Sequence, residues 1–341
     1  MTIAPGLGVV DALSSPTHVP DVDDGILELA PYEQEIVSGL TLDLETSGHT
    51  GPDDPGWVEL ARARWERMPE RARLLVGRFK RFGNAGGCLL VRGLPVAAGA
   101  TQPTPSKAGS VCSEPTAAAA VLSMFATGLG DPVAYRPEKS GALVQDVVPV
   151  PGLEKFQGNA GSKTMLSFHV ENAFHEHRPE YISLLCLRSD HENVAGLLIA
   201  SIRRARPLLD AATVAALSAP EFSTAAPPSF GAGVSCADPH PVLGGDPADP
   251  DLRVDFAATE PLTGRARRAL AALAEVFGEV ATTIRLQPGD WAIVDNRIAA
   301  HGRTRFVPRY DGFDRWLQRT YVNVDLRRSR ALRAGDGYIL G

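Results

Sequence analysis

Late in its 341 residues the chain reads Gln287-Pro-Gly-Asp-Trp-Ala-Ile-Val-Asp-Asn-Arg-Ile-Ala-Ala-His-Gly-Arg303. A Pro-Gly turn opens this stretch, and the apolar run Trp291–Val294 follows as a strand. His301 then stands alone among arginine and aspartate. The block continues through Pro308-Arg-Tyr-Asp-Gly-Phe-Asp-Arg315-Trp-Leu-Gln-Arg319 into another strand at Trp316–Val324. Short strands separated by Gly/Pro turns fit a barrel or sandwich better than a doubly wound sheet.

Working outward, Arg265–Leu286 has the spacing of an amphipathic helix, with Leu270, Leu273, Phe277 and Val280 on one face. Residues 219–262 begin with a Pro/Gly/Asp-rich excursion of the kind that covers an active site, and they are expected to form a lid insertion. Leu208–Leu217 reads as helix. Leu143–Val150, Ser183–Leu187 and Gly196–Ile202 read as strands. Further back lie an Ala-rich helix over Ala117–Gly128 and a glycine-bounded strand over Gly87–Gly93. Two helices precede these, one around Trp57–Met68 and one starting at Pro69. A helix is expected over Glu33–Leu40, and residues 1–30 read as a loose N-terminal arm. No regular βαβ alternation appears. The expectation is an α+β chain, residues 1–341 as a single domain. Its core would be a double-stranded β-helix (jelly roll, cupin-like) with flanking N-terminal helices.

Composition narrows the function. Lys plus Arg number 34 against 40 Asp plus Glu, a net charge of −6, which offers no basic footprint for nucleic acid. No apolar run is long enough to span a bilayer. No secretory signal is visible in Met1–Val10, and the four cysteines form no CxxC pair. The expected setting is cytoplasmic, with neither a membrane nor a nucleic acid as partner.

The chemistry is carried by Phe168-His169-Val170-Glu171. On a strand, residues i and i+2 project from one face, so His169 and Glu171 can enter one cavity together. They supply two ligands of a two-His-one-carboxylate triad, a set that suits non-haem Fe(II) with open positions. The third ligand would be a distant histidine on a neighbouring strand, and His301 is the candidate. An HxE pattern alone is weak, and an ordinary hydrogen-bonded pair would also produce it. The arginines after His301 add weight, because arginine beside a cationic metal calls for an anion. A dicarboxylate chelating the metal, its far end gripped by Arg, would be that anion.

These stretches resemble the clavaminate synthase-like branch of the Fe(II)/2-oxoglutarate-dependent oxygenases, which includes arginine and asparagine β-hydroxylases of antibiotic pathways. The resemblance rests on Phe168–Phe174 with Arg178–Tyr181, on Arg188–Glu192, and above all on Val294–Arg319. It implies His169, Glu171 and His301 as Fe(II) ligands, with 2-oxoglutarate and O₂ as co-substrates. It also implies Arg315 on the distal carboxylate of 2-oxoglutarate and Arg319 on the carboxylate of a small amino-acid-like substrate. Asn159 and Glu138 match positions that meet the substrate's backbone and α-amino group, and Asp255 matches one that meets its distal group. Two positions depart from the pattern. Leu197 stands where a threonine commonly contacts 2-oxoglutarate, and Ala257 stands where arginine hydroxylases carry a second acid. The implied reaction is hydroxylation of an unactivated C–H near the β-carbon. Desaturation and oxidative cyclisation share the same cofactors. A metal-dependent hydrolase, which leaves Arg315 and Arg319 without a purpose, and a non-catalytic jelly-roll binding protein, in which the triad would be vestigial, are the readings from other classes.

Overall fold

Apolar runs with β-branched and aromatic residues build the larger of two main sheets, as the pattern demands. Its strands are β1 (Ile26–Glu28), β2 (Cys88–Arg92), β3 (Asp131–Tyr135), β4 (Gln145–Val147), β6 (Tyr181–Arg188), β13 (Trp291–Asp295), β15 (Trp316–Asn323) and β16 (Ile339–Leu340). They order as β1-β2-β13-β6-β15-β3-β16, with β4 also paired to β15. The second sheet holds β5 (Leu166–His169), β7 (Leu197–Ser201), β12 (Thr282–Ile284) and β14 (Ala299–Arg303), ordered β12-β7-β14-β5. The computed structural model describes residues 25–96, 102–227, 230 and 238–341.

Helices α1 (Pro31–Glu45), α2 (Pro55–Trp65), α3 (Glu70–Phe82) and α4 (Ala117–Leu129) precede most of the strands. Almost every residue of α4 is buried, which its alanines permit by letting neighbours approach closely. Thr116 caps it by accepting the Ala119 N–H at 3.2 Å. Gly128 is required here, since a Cβ at that position would lie 2.3 Å from the Trp65 ring of α2. Trp291 on the larger sheet stacks on Phe125 of α4, ring centroids 4.1 Å apart. Two helices flank the other core: α5 (Ala211–Leu217) and α6 (Gly264–Val280). There Leu273 and Phe277 pack with Ala200, Leu217 and Phe222. No helix among the described residues is long and apolar enough to cross a membrane.

Three expectations change. The helix expected through Leu286 stops at Val280, because Thr282–Ile284 pair antiparallel with Leu197–Ile199 and become β12. The loose arm does not include its last residues, since Ile26–Glu28 pair parallel with Leu90–Arg92; residues 1–24 lie outside the described residues. The stretch expected as a lid insertion, residues 219–262, is largely wall. It forms the ribbons β8 (Phe222–Thr224) with β11 (Thr259–Pro261) and β9 (Leu243–Asp246) with β10 (Asp249–Leu252). Phe222, Val242, Leu252 and Val254 are fully buried in it. Residues 228–229 and 231–237 of that stretch lie outside the described residues.

Candidate metal centre

The ladder between β5 and β14 sets the centre. His301 pairs directly with His169 across these two strands, and their ring centroids stand 4.3 Å apart. One ligand atom from each of His169, Glu171 and His301 lies within 4.8 Å of the other two. His301 Nε2 is 3.7 Å from Glu171 Oε2. His169 Nδ1 sits 2.9 Å from the Ser167 carbonyl; a proton donated there leaves Nε2 as the lone-pair nitrogen.

The strand argument for this trio holds only in part. β5 ends at His169, and Glu171 lies beyond it in a turn. Glu171 therefore reaches the site without the alternation of a strand. Its backbone N–H donates to Asn296 Oδ1 at 2.8 Å instead.

Electrostatics suit a cation. Burial and the neighbouring His169 push His301 down to about 3, so its imidazole is neutral and free to ligate. Burial opposes ionisation of Glu171, but Arg319, His169 and His301 outweigh it and hold the carboxyl below its ordinary value. Glu138 moves the other way: burial raises it despite Arg319.

Arg319 is 2 % exposed and fully occupied by protein groups. It donates to Glu171 Oε2 at 3.1 Å, to Gln145 Oε1 at 2.7 Å and to Glu138 Oε1. With its amide oxygen turned inward, Asn159 accepts from both Nη atoms, at 2.7 and 3.0 Å. Tyr321 donates to Glu138 Oε1 at 3.0 Å. The resemblance implied a substrate contact for Arg319, whereas here one of its partners is the carboxylate of the triad.

Arg315 is also buried but differently placed. No carboxylate among the described residues lies within ion-pair distance of it, and its guanidinium rests 5.8 Å from the Phe306 ring. Asp190, which acts on it through space, spends its oxygens on the backbone N–H groups of Val194 and Ala195. Arg303, also buried, leans on the same ring and donates to the carbonyls of Gly161 and Thr164. A buried guanidinium with no anion is costly, so this one fits an incoming carboxylate. Leu197 pairs in register with Arg303 and is buried, offering no hydroxyl there.

A cavity of about 400 Å³ opens on His169 and Glu171, and Glu138, Asn159, Asp255 and Ala257 also lie on its wall. Asp255 bridges His169 backbone to backbone, and its Oδ1 accepts the Ala257 N–H at 2.8 Å. His301, Arg315 and Arg319 are not on that wall. His175 and His177 stay outside the trio: His177 N–H donates to His175 Nδ1, and Tyr135 donates to the His177 carbonyl. His191 is tied to Asp311 at 3.0 Å beside a turn that Asp314 caps through the N–H groups of Arg309 and Tyr310.

Gln145, Tyr321, Phe306 and Asn296 escaped the sequence reading. Gln145 offered a faint signal, as a polar residue inside the apolar run Leu143–Val150. The others look like ordinary strand or turn residues until the chain folds.

Known proteins match this arrangement. The model of the taurine catabolism dioxygenase TauD, TfdA family matches residues 243–321. L-asparagine oxygenase of Streptomyces coelicolor is 57 % identical over 309 residues, covering 91 % of this chain and 92 % of that protein. Clavaminate synthase 2 of Streptomyces clavuligerus is 34 % identical, covering 91 % of this chain and 96 % of its own. Among solved structures, asparagine oxygenase in complex with Fe(II), 2S,3S-3-hydroxyasparagine and succinate superposes with a TM-score of 0.90 at 55 % identity. That match covers 93 % of this chain and 99 % of that one. The converging His-Glu-His trio, an Arg315 with no acid partner among the described residues and these relatives agree, and the chain belongs to the TauD/TfdA family of oxygenases, in the branch that holds asparagine oxygenase and clavaminate synthase.

Proposed function

We propose that this chain hydroxylates the β-carbon of free L-asparagine, with Fe(II) held by His169, Glu171 and His301 and 2-oxoglutarate held by Arg315. The observation that carries the reading is the converging trio, two of whose members, His169 and Glu171, stand on a cavity wall that also presents Asp255. When bound, Fe(II) with 2-oxoglutarate and O₂ supplies an oxidant for an unactivated C–H and releases succinate and CO₂. Succinate, present in the relative's complex, is what 2-oxoglutarate becomes on losing that carbon.

The chain's own residues do the rest. Arg315 gives the distal carboxylate of 2-oxoglutarate a buried cation that no acid among the described residues neutralises. Arg319 Nη1, which pairs with Glu171 Oε2, would be free to meet the substrate's α-carboxylate once Glu171 serves as a metal ligand. Glu138 offers its unpartnered Oε2 to the α-ammonium, and Asn159, its oxygen held by Arg319, lines the cavity where the substrate's backbone would lie. These headgroup contacts are nearly closed to solvent, which favours a free amino acid over a peptide-bound one. Asp255, beside His169, accepts a short side-chain amide, and Ala257 offers no second acid for a guanidinium. The apolar wall of Val148, Val170 and Phe174 excludes water. The two sheets are read as the walls of a double-stranded β-helix within one domain over residues 1–341.

The test is turnover of the Fe(II)-loaded enzyme with 2-oxoglutarate and each proteinogenic amino acid. The expected result is one succinate per hydroxylated asparagine, seen as a product 16 mass units heavier. A preference for arginine or lysine sinks the substrate assignment, and no succinate with any amino acid sinks the reading itself.

A further inference from the structure

Glu171 has lost the strand ladder, so something else must fix where its side chain starts. A single side chain does so. Asn296 is wholly buried. Its Oδ1 accepts the Glu171 N–H at 2.8 Å, while its Nδ2 donates to the Glu171 carbonyl at 3.1 Å and to the Pro179 carbonyl at 2.8 Å. The amide thus grips both backbone groups of one residue and ties them to the segment entering β6.

Asn296 is itself held firmly. Its own N–H donates to the Glu180 carbonyl at 2.9 Å, and the preceding Asp295 N–H donates to the Gly87 carbonyl at 2.9 Å. Asp295 grips Arg297 through Nε at 2.8 Å and Nη2 at 2.7 Å, and Arg297 also donates to the Tyr181 hydroxyl. The Asp295-Asn296-Arg297 turn therefore forms a rigid block, and it leads directly into β14 with His301. One amide joins the arm that carries Glu171 to the turn that launches the distal histidine.

We propose that Asn296 is a positioning residue, holding the Glu171 carboxylate in register with the two histidines so that all three bind metal together. The inference rests on the metal reading above. The site needs an amide. An acid at position 296 keeps an acceptor for the Glu171 N–H but gives no donor to two buried carbonyls. Alanine leaves all three groups unpaired.

The test is Co(II) titration of the full chain, followed by the visible absorption of the bound ion, in wild type, Asn296→Ala and Asn296→Asp. Circular dichroism checks the fold of each. Both variants are expected to bind Co(II) about 10- to 100-fold more weakly, the range seen when the outer partner of a ligand is removed. Their absorption bands are expected to shift as the carboxylate departs. The decisive comparison repeats Asn296→Asp in a Glu171→Ala background, where the substitution should change affinity less than about twofold, since it acts through that carboxylate. Wild-type affinity in both variants overturns the inference, and so does an equal loss with and without the Glu171 carboxylate. A wild-type chain that binds no Co(II) overturns the metal reading, and this inference falls with it. Should Asn296→Ala not fold, Asn296→Asp, which keeps the side-chain volume, decides alone.

Discussion

His169 and His301 are direct partners across β5 and β14, with ring centroids 4.3 Å apart and planes tilted by 44°. Two residues far apart in the chain thus meet because two strands pair in one register. A slip of one residue would turn one of the two rings to the opposite face of the sheet.

Replacing either histidine by alanine is expected to abolish turnover to background and to weaken Co(II) binding at least about tenfold. The circular dichroism spectrum should stay native-like, because the metal ligands are not the hydrophobic core. Full turnover in either variant would mean that the trio is not the metal site.

Arg315→Met is expected to separate stability from binding. Methionine removes a buried charge that no acid among the described residues neutralises, so thermal stability without co-substrate should hold or rise. The KM for 2-oxoglutarate should increase at least about tenfold, as a charge-assisted pair is worth roughly 1.5–3 kcal/mol. Melting curves with and without 2-oxoglutarate check this; unchanged stabilisation by 2-oxoglutarate in the variant would exclude Arg315 as its anchor.

Asp255→Ala should act on the amino acid alone. Its expected effect is a rise of about 10- to 100-fold in KM for asparagine, with KM for 2-oxoglutarate within about twofold of wild type. Steady-state kinetics with each substrate varied in turn give both constants. A change confined to 2-oxoglutarate would move Asp255 out of the substrate pocket.

Lys139 is a pH probe outside the trio. Burial, with Arg319 nearby, pushes its ammonium down to about 8 from an ordinary 10.5, while Asp146 and Glu138 pull the other way. Its Nζ donates to the carbonyls of Ser110 and Asp146. The folded chain releases this proton before the unfolded chain does. Stability from this group therefore rises between about pH 8 and 10.5, and the cost of burying the charge is fully present below pH 8. Urea unfolding across pH 7–10 should show this slope in wild type and lose it in Lys139→Met. The same slope in both proteins would show that another group carries it.

Much of the site was legible before folding. His169, Glu171 and His301 stood out by residue type and spacing, and Arg315 by its likeness to a known anion-binding arginine. What escaped were features made by partners. Glu171 looked like a strand residue because local alternation says nothing about where a ladder ends. The Thr282–Ile284 strand was hidden at the end of a helical pattern because its identity comes from pairing with β7. Arg319 is distinguished from Arg315 by the acids packed against it, and Glu138 and Gln145 come from distant segments.

By itself the sequence determined the chemical types available. It supplied two histidines and a carboxylate of the right hardness for iron, a run of arginines suited to carboxylates, and apolar strands enough for a barrel wall. Those properties belong to side chains and survive any rearrangement of the backbone. Only the tertiary structure decided which arginine is left without an acid, that Asn296 holds Glu171 in place, and that most of residues 219–262 is wall. Each of these depends on distances between segments remote in sequence. Burial and hydrogen bonding are set by the neighbours that long-range strand pairing brings together.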